Sequence, residues 1–122
     1  MRFTVAILFL AILAACSLVP PPSPTPSPLE VRGRGVFESF CSRCHSTIPD
    51  SIIVGPSLAG IATRGAGRVE GMDAQAYIRN SIFDPAAYTV EGFVEGTMPA
   101  TLKDELSVEQ LDAVMAYLLT LK

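Results

Sequence analysis

The chain lacks most of what common functional sites are built from. It holds one histidine, His45, and three cysteines, Cys16, Cys41 and Cys44. Three is an odd number of thiols, which argues against a self-contained disulfide framework. A tetrahedral zinc site wants four ligands, and only Cys41, Cys44 and His45 cluster. Basic residues are scarce as well: 9 Lys and Arg stand against 12 Asp and Glu, a net charge of −3, and loss of Arg2 with a leader would add one more negative charge. Without a positive excess to neutralise phosphates, no nucleic-acid partner is expected. The acidic residues are spread out as a solvated face, apart from Asp104, Glu105, Glu109 and Asp112. No run alternates apolar and polar residues persuasively enough for a sheet, so the fold class is all-α.

What is present begins with a leader. Arg2, an apolar run from Phe3 to Ile12, and Leu13-Ala14-Ala15-Cys16 follow the charged, apolar and small-residue zones of a secretory signal. The stretch from Phe3 to Val19 falls short of the roughly 20 residues of a spanning helix. Leu13-Ala14-Ala15-Cys16 resembles the bacterial lipoprotein signal, which implies that residues 1–15 are removed and that Cys16 becomes a lipidated N-terminus. Several acyl chains, each adding about 0.8 kcal/mol per buried CH₂, would hold the chain durably on a bilayer on the extracytoplasmic, periplasmic side. Residues 16–28 then form the lipidated cysteine and a Pro-rich linker. Its segment from Val19 to Pro28 favours an extended polyproline conformation, and at about 3.1 Å per residue it would lift a domain on the order of 30 Å off the membrane.

Residues 29–122 remain as one small domain, a size at which a bound cofactor or covalent staple is expected to supply much of the core. Three helices are predicted. The first runs from Leu29 to Cys44, with Gly33, Phe37, Phe40, Cys41 and Cys44 on one face. The second runs from Asp73 to Phe83, with Ala74, Tyr77, Ile78, Ser81 and Ile82 inward and Asp73 as N-cap. The third opens on the capping box Ser107-Val108-Glu109-Gln110 and buries Val108, Leu111, Val114, Met115, Leu118 and Leu121.

Cys41-Ser42-Arg43-Cys44-His45 has the Cys-x-x-Cys-His spacing of c-type haem attachment, in which two thiols add to the vinyl groups and the adjoining imidazole ligates iron. A thioredoxin-type dithiol would need a βαβ context that is missing, and structural zinc lacks its fourth ligand.

With this motif the chain resembles the class I c-type cytochromes, from Gly33 to the C-terminus. The resemblance implies one covalent haem c held through Cys41 and Cys44 in a cytochrome c fold. It implies that Gly33 allows close crossing by the last helix near Val114 and Tyr117; a merely flexible Gly33 is the alternative. In Gly55-Pro56-Ser57-Leu58-Ala59-Gly60, Pro56 would accept a hydrogen bond from His45 and Leu58 would pack on the haem. Arg64 corresponds to an arginine near a haem propionate, with a solvated surface arginine as the alternative. Gly96-Thr97-Met98-Pro99 resembles the distal ligand segment, making His45 and Met98 the axial pair, with Met72 and Met115 as rivals to Met98. Tyr77, Tyr88 and Phe93 are expected to pack around the haem ahead of serving as an electron path.

The stretch Tyr77 to Pro85, followed by Tyr88 to Phe93, is especially similar to cytochrome domains fused to subunit II of some haem-copper oxidases. That subunit's copper-ligand cluster and two-helix anchor are absent here, so a free-standing relative is expected. The implied function is one-electron transport, not catalysis, in a respiratory or photosynthetic chain. Quinol:acceptor oxidoreductases are the implied donors, and a terminal oxidase or reaction centre the acceptor. A haem subunit, ligand sensor or peroxidase with an open sixth position is the alternative.

Overall fold

A computed structural model describes residues 24–122. Among these it contains α1 (Pro28–Phe40), α2 (Ile61–Arg64), α3 (Ala74–Phe83), α4 (Leu102–Glu105) and α5 (Val108–Leu118). They contain no strand beyond an isolated antiparallel bridge between His45 and Ile52. Cys16, residues 1–15 and the first part of the linker lie outside the described residues.

The end of the Pro-rich segment is part of the first helix and its cap. Ser27 caps α1: its hydroxyl accepts from the Glu30 amide at 3.3 Å, and the Glu30 carboxylate accepts from the Ser27 amide at 2.6 Å. Pro28 follows at a position that needs no amide donor. The helix therefore starts one residue before the expected domain boundary.

At its other end α1 stops at Phe40 and does not run to Cys44. The Phe37 carbonyl accepts from both Cys41 and Ser42, and the Cys41 carbonyl from both Cys44 and His45. The ladder is thus diverted at the haem motif, which lies on successive turns and not on a helix face. α3 begins after Asp73, whose carboxylate accepts from the Ala76 amide at 2.7 Å. α5 carries the Ser107–Gln110 capping box and ends at Leu118.

α1 and α5 cross closely at Gly33. A Cβ there would lie 1.9 Å from the Ala113 carbonyl oxygen and 2.8 Å from Tyr117 Cβ, so only glycine permits the crossing. Phe37 meets the Tyr117 ring at 5.6 Å between centroids beside it. The core gathers Phe37, Ile61, Tyr77, Ile78, Ile82, Leu102, Leu111, Val114, Met115 and Leu118. Val108, expected inward, is 71% exposed. Helical side chains tilt toward the N-terminus, so the first residue of α5 projects beyond the helix end. Ser81 and Leu121, also expected inward, are half-buried.

Candidate functional site

A cavity of about 340 Å³ opens between the haem motif, α3, and the stretch from Pro85 to Pro99. Cys41, Cys44, His45, Pro56, Leu58, Arg64 and Met98, distant in sequence, all line it.

The loop following the motif holds one wall. His45 Nδ1 lies 2.8 Å from the Pro56 carbonyl oxygen. A carbonyl only accepts, so Nδ1 carries the proton and Nε2 keeps its lone pair, with the ring fixed in orientation. The loop is folded back onto the motif: Gly55 N–H donates to the Cys44 carbonyl at 2.9 Å, Leu58 N–H to Ser46 at 2.7 Å, and Ser57 Oγ to Ile48 at 2.7 Å. A Cβ on Gly55 would lie 2.5 Å from His45 Cε1 and 2.9 Å from Nδ1, so the backbone passes flat against the imidazole.

Cys41 and Cys44 lie at the ends of one turn, and no disulfide joins them. Burial, followed by the neighbouring Cys44, pushes the Cys41 thiol up to about 11, so it is protonated at neutral pH.

Met98 faces the cavity from the opposite stretch and packs on the core. Its rivals do not reach the cavity. Met115 is buried in the core on α5, and Met72 packs against the core ahead of α3.

The remaining wall is aromatic and cationic. Tyr77 and Tyr88 meet edge to face at 5.9 Å, and Phe93 lies on the same cavity. Arg64 is not a solvated arginine. Its two Nη groups donate to the Ser57 and Ala59 carbonyls, while its buried Nε has no partner. Arg68, which sequence reasoning missed, lines the cavity over the Tyr77 ring at 5.8 Å. No local pattern marks it, because it lies in the turns between α2 and α3. Gly55 was legible only as part of its loop, not as a contact of the imidazole.

The donor set fits a covalently held haem. Two thiols, an imidazole with a free Nε2, a thioether and an unpartnered guanidinium N–H share one largely apolar cavity. Among the described residues no three His, Cys, Asp or Glu side chains come together to hold a metal ion unaided. A porphyrin removes that need by supplying four ligands itself and leaving only axial positions to the protein.

A family model described as Cytochrome c matches residues 30–122. No curated protein matches the chain.

Proposed function

The chain belongs to the cytochrome c family, and on that premise we propose that it is a membrane-tethered one-electron carrier whose haem iron is held between His45 and Met98. Family membership makes it a haem-binding electron-transfer protein, with one c-type haem attached through Cys41 and Cys44 and with redox proteins as partners. The axial pair goes further, and one observation carries it: His45 and Met98 line the same cavity, whereas Met72 and Met115 do not.

When bound, the haem supplies a reversible one-electron couple at iron. The residues around it have separable tasks. The Pro56 carbonyl holds the His45 proton on Nδ1, which would leave Nε2 to ligate iron and would raise its basicity. A Met98 thioether as the second ligand would favour the ferrous state and raise the potential. Leu58, Ile78, Ile82 and Tyr77 keep water from the buried face. Were His45 and Met98 both to ligate a bound haem iron, they would leave it no open position for a substrate, and electron exchange would be the activity that remains.

Tethering rests on the sequence. The leader and Cys16 support a lipid anchor on the extracytoplasmic side, and the Pro-rich segment supports a spacer that lets the domain reorient between partners. Among the described residues no helix is long and apolar enough to cross a membrane. The likeness of Tyr77–Phe93 to oxidase-linked domains supports a quinol-oxidising complex as donor and a terminal oxidase as acceptor; a reaction centre fits the same chemistry.

The test is the ferric optical spectrum of the haem-loaded domain, wild type against Met98→Ala. The weak long-wavelength sulfur-to-iron band is expected in wild type and absent from the variant, whose potential falls. A wild-type spectrum without that band, with high-spin iron that binds carbon monoxide once reduced, would overturn the axial assignment and favour sensing or peroxidase chemistry.

A further inference from the structure

The loop after the haem motif has an outer side that the cavity does not use. Between Ile48 and Val54 it exposes four aliphatic side chains: Ile48 at 66%, Ile52 at 67%, Ile53 at 53% and Val54 at 48%. Of these only Val54 lines the cavity, so a group bound there leaves the three isoleucines uncovered. Hydrogen bonds hold the stretch in place. Ile48 N–H donates to Ser46 Oγ at 2.9 Å, the Ile48 carbonyl accepts from Ser57 Oγ at 2.7 Å and from the Ser51 amide at 3.3 Å, and Ile52 bridges to His45. Asp50 turns the chain in the left-handed region, at φ 57°, which Asp adopts more readily than most residues. Asp50 is also the one charged residue of the stretch, and the nearest cation in sequence is the exposed Arg43 of the motif. An aliphatic surface fixed in place and nearly without charge marks a contact site for something apolar.

We propose that Ile48, Ile52 and Ile53 seat in the neutral interface of the bilayer to which the chain is tethered, and so hold the domain down with its His45 wall toward the lipid. The proposal rests on the lipid-anchor reading of Cys16. The tether enters at the start of α1, where Ser27 caps the helix, whereas the loop is folded onto the motif at the other end. α1 has 13 residues and is about 20 Å long. The eleven residues from Ser17 to Ser27 reach about 34 Å when extended at about 3.1 Å each. The linker is therefore long enough for the domain to lie over with the far end of α1 against the bilayer. Tethering also keeps the loop at a high effective concentration beside the lipid, so a contact too weak to recruit a free protein is populated. A partner free in solution gains no such advantage. With no Lys or Arg in the stretch, the contact is apolar and does not select anionic lipid.

The test uses the full lipidated, haem-loaded protein on phosphatidylcholine vesicles in which some lipids carry a photoactivated carbene precursor on an acyl chain. Flotation and the mass of acylated Cys16 read the tether, and peptide mass spectrometry of lipid adducts reads the loop. Adducts are expected on residues 48–54, equally at low and high salt. They are expected to be lost in Ile48→Ser/Ile52→Ser/Ile53→Ser, which still floats and loads haem. Floated wild-type protein with adducts confined to the linker, or spread evenly over the domain, would overturn the proposal and leave a redox protein or a second copy as the occupant of the loop. Loss of the loop adducts at high salt would overturn it too, since an apolar contact is not screened. Should the triple variant fail to load haem, Ile52→Ser decides, with undiminished adducts counting against the proposal. Wild-type protein that neither floats nor carries acyl chains on Cys16 overturns the anchor reading and this proposal with it, whereas floated protein with a bare loop overturns this proposal alone.

Discussion

The two walls that present His45 and Met98 are built differently. Between Cys44 and Gly60 the loop is bound back to the motif across nine to twelve residues: Gly55 to Cys44, Leu58 to Ser46, Ser57 to Ile48, and His45 to Pro56. In residues 85–101 every hydrogen bond joins residues three or four apart, as Phe93 to Val90 and Thr97 to Val94. That stretch is held to the rest of the molecule by side-chain packing, of Met98 on the core and of Tyr88 on Tyr77. The imidazole is therefore oriented by a cross-braced loop, whereas the thioether is carried on one whose backbone is braced only to itself. Local stability follows such bracing, so the Met98 side should open at lower free energy.

The strongest way to break this contrast is to damage the braced wall directly. Gly55→Ala places a Cβ within 2.5 Å of a ring pinned through Nδ1. Either the loop backbone shifts or the hydrogen bond to Pro56 is lost. The expected cost is about 2–3 kcal/mol of stability, in the range of other overpacking changes, accompanied by a displaced potential. Chemical denaturation and redox titration check it. A variant as stable as wild type with the same potential would mean that the loop yields freely, and the contrast would fall.

Hydrogen exchange sharpens the same contrast without mutation. The amides of Gly55 and Leu58 should exchange slower than those of Phe93 and Thr97 by more than about tenfold, a difference of about 1.4 kcal/mol in opening free energy. Equal protection would show that packing of Met98 and Tyr88 braces the distal stretch as firmly as hydrogen bonds brace the proximal one.

How much of this was legible in the sequence follows from the range of the interactions. α3 and α5 were legible because ten or eleven residues carry a full apolar stripe and a capping residue at the start. α2 and α4 were not, since four residues make about one turn and leave no period to detect. The end of α1 was misplaced because the stripe continues through Cys41 and Cys44 while the hydrogen bonds do not. Its start was readable in Ser27-Pro28-Leu29-Glu30, but the prolines before it masked the cap. The haem motif was legible because its chemistry is local. Arg68 over Tyr77 and Gly55 against His45 were not, because each depends on where two separate segments meet.

The smallest expected effect isolates what Pro56 contributes. The group that fixes the His45 tautomer is the backbone carbonyl, and every residue type carries one. Pro56→Ala should keep the hydrogen bond, the sulfur-to-iron band and the potential, and should cost only about 0.4–1 kcal/mol from the greater freedom of the unfolded chain. The contrast with Gly55→Ala is then informative, since the two positions are adjacent and both touch the imidazole. A large fall in potential for Pro56→Ala would mean that the ring of proline, by restricting the loop, holds the carbonyl in place. In that case the cross-loop hydrogen bonds would not be enough by themselves to orient His45, and the rigidity of the proximal wall would reside in one residue and not in its bracing.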